Sequence, residues 1–242
     1  MLNSYSNPMK INKLPGFRGI LSLAMLLVTF SANAFWVVNF GIARTLLQGK
    51  ISFAAGMGGQ VVMLGNPKTT SAFFTIPHAG FRYGISDRLD IGLRLAPIPL
   101  PFATVGPGFG VNLDLKYCMT KPGKKFDFSL VAGFGGAHVL IEENTRYAIS
   151  PNAALLGTYN INKTTQLTGM FRYVNLVIPS APKGSSGNFV NIAGITLGLR
   201  KEIRPNISIL PEIGVYSYSG QINGVVKNGP GFQYGLMIAT SF

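Results

Sequence analysis

The sequence predicts an all-β protein: an up-and-down antiparallel transmembrane β-barrel of about ten strands in one chain of 242 residues. Three observations carry this. Apolar and polar residues alternate with period two in segments of about ten to sixteen residues, each followed by a turn. After residue 34 neither helical periodicity nor an apolar run of helix-spanning length appears. The connections between segments are mostly short at one end and long at the other, as in barrels whose two mouths face different compartments.

The chain opens with a leader. Lys10, Lys13 and Arg18 precede the apolar run 20–30, and Ala32-Asn33-Ala34 is an A-x-A cleavage pattern. Residues 1–34 therefore read as a secretory signal peptide, its apolar run too short to span a bilayer. The leader holds three bases and no acid, so its removal takes the formal charge from +13 to +10. A basic surface suits nucleic acid, anionic headgroups or anionic solutes. Export, with no Lys/Arg run or stacking motif, argues against nucleic acid as a partner. Residues 35–48 read as a periplasmic N-terminal segment, opening on Phe35-Trp36-Val37-Val38-Asn39-Phe40, an apolar stretch suited to a membrane interface. The single Cys118 has no intramolecular disulfide partner.

The barrel occupies 49–242. Its strands read as 49–64, 71–84, 88–98, 107–118, 125–141, 145–160, 165–178, 188–201, 205–219 and 229–242. Eight or twelve strands fit the same alternation. In the third, Leu89, Ile91, Leu93 and Leu95 take one parity and Asp90, Gly92 and Arg94 the other. In the fourth, Val111, Leu113, Leu115 and Tyr117 oppose Asn112, Asp114 and Lys116. In the fifth, Phe126, Phe128, Leu130 and Phe134 oppose Asp127, Ser129, Gly133 and Gly135. In the tenth, Phe232, Tyr234, Leu236, Ile238 and Phe242 oppose Gln233, Gly235 and Ser241. A soluble sandwich alternates in the same way, so the connections decide. Those after strands two, four, six and eight are short and polar; those after one, three, seven and nine are longer and rich in Pro, Gly and Ser. An even strand number places both chain ends on the short-turn, periplasmic side.

The last strand ends the chain at Phe242 with apolar or aromatic residues at nearly every second position back to Phe232. It resembles the C-terminal targeting strand of Gram-negative outer-membrane β-barrel proteins, with Thr240 where that family usually has an aromatic. The hairpin Arg82–Leu95 is similar to one common in small, porin-like outer-membrane barrels. The resemblance implies export to the bacterial outer membrane. Its implied partners are outer-membrane lipid and the barrel-assembly machinery, the latter through the strand ending at Phe242.

The alternation then assigns the polar parity to the lumen: Arg82, Asp90, Arg94, Asp114, Lys116, Asp127, Arg172, Arg200 and Glu212, with His78 on the parity of Arg82. These residues fit two roles. They are a selectivity lining for a small pore, or an ion-pair network that fills the interior, as side chains fill other small barrels.

Enzymatic constellations are sparse. Omptin-type proteases, similar in strand count, place acidic residues and a histidine at the outer rim. Here the rim offers His138 with Glu142 and Glu143 and no aspartate pair. Lipid A deacylases use a histidine and a serine two residues apart on one strand, whereas here the histidines read His78-Ala79-Gly80 and His138-Val139-Leu140. The Asn, His and Ser of outer-membrane phospholipases have no local signature. The glycine clusters 56–59, 106–110 and 133–136 lack the following helix that a phosphate loop requires. Two separated histidines and one cysteine offer no metal-ligand spacing, so neither metal nor cofactor is expected. The expectation is a non-enzymatic barrel, a narrow channel or a structural membrane protein. The alternatives are a surface-binding barrel acting through loops 99–107, 179–188 and 220–229, and a membrane-embedded hydrolase near His138.

Overall fold

The computed structural model describes residues 41–65, 68–98, 108–121, 124–141, 144–179, 187–222 and 224–242. The expected signal peptide and the stretch 35–40 lie outside these residues. Ten strands follow in chain order: β1 (Ile51–Leu64), β2 (Thr69–Ser86), β3 (Leu89–Ile98), β4 (Gly108–Cys118), β5 (Phe126–Ile141), β6 (Asn144–Asn160), β7 (Thr165–Ile178), β8 (Asn188–Arg204), β9 (Ile207–Ile222) and β10 (Val225–Ser241). Each pairs antiparallel with its sequence neighbours, and β10 closes the sheet on β1 from Ser52↔Ser241 to Val62↔Gly231. Closure leaves no free edge, the condition a sheet must meet in hydrocarbon, where no water satisfies a spare N–H or C=O.

One connection differs from the sequence expectation. The stretch 220–229 is not a loop: β9 runs to Ile222, β10 starts at Val225, and those two residues are paired. Only two residues separate the paired strand ends, and the second of them, Gly224, has φ 78°. Positive φ is what a central position of a two-residue hairpin turn needs, and glycine supplies it without steric cost. The Gly and Pro further along, Gly229 and Pro230, sit within the β10 ladder opposite Tyr218 and Ser217.

The exterior is apolar. Leu93, Leu113, Leu115, Leu130, Leu155, Ile195, Leu197, Ile213, Val215, Leu236 and Ile238 all face outward and are exposed. Exposed aromatics flank this belt: Tyr83, Tyr117, Phe126 and Tyr159 near the mouth that holds both chain ends, and Tyr147, Tyr173 and Phe189 toward the opposite mouth. We call these the terminal mouth and the loop mouth. An apolar band between aromatic girdles is the exterior of a membrane barrel.

Candidate functional site

The interior of the barrel is filled in three tiers. At the terminal mouth the chain entering β1 does not hang free. Residues 42–46 enter the lumen and are held there by side chains of four strands. Lys116 Nζ donates to the Ile42 and Arg44 carbonyls, both at 3.0 Å. Ser129 Oγ donates to the Ala43 carbonyl, and the Ala43 amide donates to Thr158 Oγ1 at 2.8 Å. The Leu46 amide donates to Asp90 Oδ2 at 3.2 Å. Arg44 pairs with Asp127, which also accepts from Thr120 Oγ1 at 3.0 Å and Asn160 Nδ2 at 3.1 Å. The Ala43 methyl is fully buried with Val131, Ala154, Leu156 and Met170. Five backbone polar groups of this irregular segment thus find lumen side chains, the kind of partner that burial demands. Gly84 makes room for it: a Cβ there would stand 2.1 Å from the Leu47 carbonyl oxygen.

The middle tier is an ion-pair network. Asp90, with no exposed surface, accepts from Arg82 Nε at 2.8 Å and Lys116 Nζ at 3.2 Å. Arg82 reaches on to Asp114, which Arg94 meets from the other side at 3.0 Å. Arg172 Nη2 donates to Asn152 Oδ1 at 2.8 Å, and Asn152 Nδ2 to Asn112 Oδ1 at 2.6 Å. Glu212 is within electrostatic reach of both Arg94 and Arg172. The alternation of acid, glycine and base in β3 has its reason here. Gly92 lies under the Arg82 guanidinium, whose Cζ is 2.8 Å from where a Cβ would be. Glycine lets that guanidinium lie flat on the strand and span Asp90 and Asp114.

Toward the loop mouth the lining changes character. Tyr218 donates to Gln60 Oε1 at 3.4 Å, and Gln233 Nε2 donates to the same oxygen at 2.8 Å. Beyond them Val62, Leu64, Ala137, Ala148, Val174, Leu176, Ile178, Val190 and Ile192 form one buried apolar cluster with the two tyrosines, Tyr216 and Tyr218. Small residues accommodate those rings: a Cβ on Gly231 would stand 2.4 Å from Tyr218 Cε2, and one on Gly194 would overlap Tyr216. A cavity in the charged tier, between Ser52, Arg82, Arg94 and Met237, holds about 30 Å³, room for a water or two.

The nine charged residues assigned to the lumen have these positions. Asp90, Asp114, Lys116, Asp127, Arg172 and Glu212 are buried on the inner wall. Arg82 and Arg94 retain 11% side-chain exposure. Arg200 lies near the terminal mouth, where Nη1 donates to Gln166 Oε1 at 2.7 Å and Nε to Ser208 Oγ at 3.1 Å. It is apart from the Arg82–Asp114 network. His78 is buried on the inner face of β2, above Gly56. Sequence reasoning missed Arg44, Asn152, Gln60 and Tyr218. Asn112 shares the parity of Asp114 and Lys116 and was open to the same reading. Arg44 carried no signal, because it lies before the first strand.

His138 is exposed on the outward face of β5, with its ring edge-on to Tyr147 at 4.6 Å between centroids. Its side chain joins the aromatic girdle rather than the lumen. Glu142 and Glu143 lie outside the described residues, as do 99–107 and 180–186. Among the described residues no group of three or more His, Cys, Asp or Glu side chains is placed to hold a metal ion.

The outer membrane protease OmpT from Escherichia coli superposes on 83% of this chain and 100% of its own, with TM-score 0.52 at 11% sequence identity. The chain has the fold of a small outer-membrane β-barrel. An outer membrane channel from Pseudomonas putida F1 covers 85% of this chain and 100% of its own at 14% identity, with TM-score 0.49. The N-terminal β-barrel domain of Pseudomonas aeruginosa OprF covers 81% and 98% at 14% identity, with TM-score 0.34. No family model matches the sequence, and no curated protein matches it. At these identities the likeness is one of fold.

Proposed function

We propose that the protein is an integral, non-enzymatic barrel of the bacterial outer membrane whose lumen is closed, so that it serves as a structural membrane protein and not as an open channel. The observation that carries this is the double closure: residues 42–46 bonded into the terminal mouth and a buried apolar cluster from β1 and β5 to β9 in the loop half. Among the described residues the loop half buries a mostly aliphatic lining with a few neutral polar groups and no charge, a poor substitute for the hydration shell of an ion. The charged tier supports the same reading, since Arg82, Arg94 and Lys116 each meet a carboxylate rather than an aqueous path. A non-enzymatic role is supported by the outward, aromatic setting of His138 and the buried position of His78. The terminal mouth then faces the periplasm. The last strand, which closes the barrel against β1 and ends at Phe242, is the segment the assembly machinery reads.

Single-channel recording in planar bilayers tests this. Refolded protein is expected to give no discrete conductance steps. Stable steps whose reversal potential shifts toward cations when Arg94 and Arg172 are both neutralised would establish an aqueous, anion-preferring pore and overturn the closed reading.

A further inference from the structure

The lumen charges are largely matched, yet the chain is strongly basic, and much of the excess lies at one end. The turns at the terminal mouth and the strand ends beside them expose Lys121, Lys124, Lys125, Lys163, Lys201 and Arg204. The acids at the rim of this end are engaged: Asp87 accepts from the Gln48 amide at 3.2 Å, Glu202 from the Asn206 amide at 3.3 Å, and Asp127 is paired inward with Arg44. Among the described residues none of the six bases forms an ion pair. They are also placed at a particular depth. Lys125 directly precedes Phe126, a member of the terminal aromatic girdle. Lys163 follows Ile161, an exposed aliphatic, by two residues. Lys201 faces outward from β8 between Leu199 and Ile203, which are both exposed on the same wall. Long basic side chains at such a boundary lay their aliphatic stems on apolar surface and keep the charge at headgroup level.

We propose that this basic collar binds the anionic phospholipid headgroups of the leaflet around the terminal mouth. A ring of unpaired cations at headgroup depth attracts anionic lipid, each base contributing while it stays within a screening length of the surface. Lys201 lies on the outer wall with Ile203 beside it, its Nζ donating to Thr164 Oγ1 at 3.2 Å and Thr165 Oγ1 at 3.0 Å with no carboxylate to neutralise it; a cation held on the outer wall favours lipid over a polymer in the aqueous space beneath the mouth. The proposal rests on the membrane reading above and adds a choice of lipid to it.

The test is the mature protein refolded into phosphatidylcholine bilayers carrying spin-labelled phosphatidylglycerol or spin-labelled phosphatidylcholine. The motionally restricted fraction of each label gives their relative affinity for the barrel surface. Phosphatidylglycerol should be preferred about fivefold at low salt. The preference should vanish in 1 M NaCl, where the screening length is about 3 Å. It should also fall toward parity in the variant K124Q/K125Q/K163Q/K201Q/R204Q. Equal affinity in the unaltered protein, or a preference that survives both treatments, overturns the proposal. So does binding of soluble anionic cell-wall fragments through the same bases without headgroup selectivity. Should the variant not refold, the salt titration of the unaltered protein decides alone. Failure of the unaltered protein to enter bilayers, seen as loss of its heat-modifiable gel band, refutes the membrane reading itself, an outcome distinct from insertion without lipid preference.

Discussion

Replacing Asp90 with alanine separates a dry, paired lumen from a wet one. Its carboxylate has no exposed surface and takes three donors: Arg82 Nε at 2.8 Å, Lys116 Nζ at 3.2 Å and the Leu46 amide at 3.2 Å. Arg82 keeps Asp114 when Asp90 is lost. Lys116 keeps only the Ile42 and Arg44 carbonyls, neutral acceptors on the inserted segment. The penalty therefore falls on a stranded ammonium in the terminal tier. Removing one partner of a buried pair costs about 3–5 kcal/mol, a large share of a typical domain stability of about 5–15 kcal/mol. Removing the stranded cation as well, in D90A/K116M, should recover about 0.5–3 kcal/mol relative to additivity. Urea unfolding of the parent, D90A, K116M and D90A/K116M in phospholipid vesicles, followed by circular dichroism, gives the four free energies of the cycle. A cost below about 1 kcal/mol for Asp90→Ala, without coupling to Lys116, is what a solvated surface pair shows. That result would mean water already threads the lumen, and the closed reading would be wrong.

Three further outcomes follow from named contacts. Leu93→Arg turns a charge to the lipid from a position 38% exposed on the outer wall; it should cost about 2–4 kcal/mol and lower the inserted fraction in a gel-shift assay. Insertion at the unaltered yield would contradict the outward parity of β3. Gly92→Ala should lift the Arg82 guanidinium off Asp90 and Asp114 and destabilise by about 1–3 kcal/mol, whereas Gly136→Ala, whose Cβ meets nothing within 4 Å, should stay within about 0.5 kcal/mol of the parent. Comparable losses in the two variants would remove the proposed role of Gly92. Ser129→Cys, in a Cys118→Ala background, should resist an aqueous maleimide while residues 42–46 are in place and react once the chain is truncated before Gln48. Equal labelling rates would show that the segment does not cover the terminal mouth.

The barrel was legible because two of its strands separate their parities completely. In β3 and β4 every charge lies on one parity and every aliphatic from Leu89 to Leu95 and Val111 to Leu115 on the other, so the walls follow directly from period two. Elsewhere the signal fades for physical reasons. In β7, Tyr173, Val174, Asn175, Leu176, Val177 and Ile178 are apolar on both parities but for Asn175. Val174, Leu176 and Ile178 nonetheless face inward, into the apolar cluster. Alternation cannot mark an inner wall that is as oily as the outer one. The fit of residues 42–46 into the mouth was also illegible. It depends on Lys116, Ser129 and Thr158, contributed by three strands and 72 to 115 residues away in sequence. The 220–229 stretch misled for the opposite reason: its glycines and proline suggest a loop, while Ile222 and Val225 are already paired and Gly229 and Pro230 lie within the ladder.

The tiered interior bears on how such a wall can cross a bilayer. The loop ends of β7 and β8 present Val174, Leu176, Ile178, Val190 and Ile192 inward and Tyr173 and Phe189 outward. For that stretch a half-formed sheet is apolar on both sides but for Asn188 inward and the mutually bonded Asn175 and Asn191 outward, and lipid can wet either face without desolvating a charge. Asp90, Asp114, Arg82 and Lys116 sit further back, toward the end that carries the termini. If the loop end leads, the leading edge meets the cheapest part of the passage. The costly charges enter last, when neighbouring strands already supply their counterions. Entry by the other end would drag the ammonium of Lys116 and the guanidinium of Arg82 through the acyl region before Asp90 and Asp114 had been brought beside them. A vectorial bias is thus written into the lining of the barrel, independent of its turns.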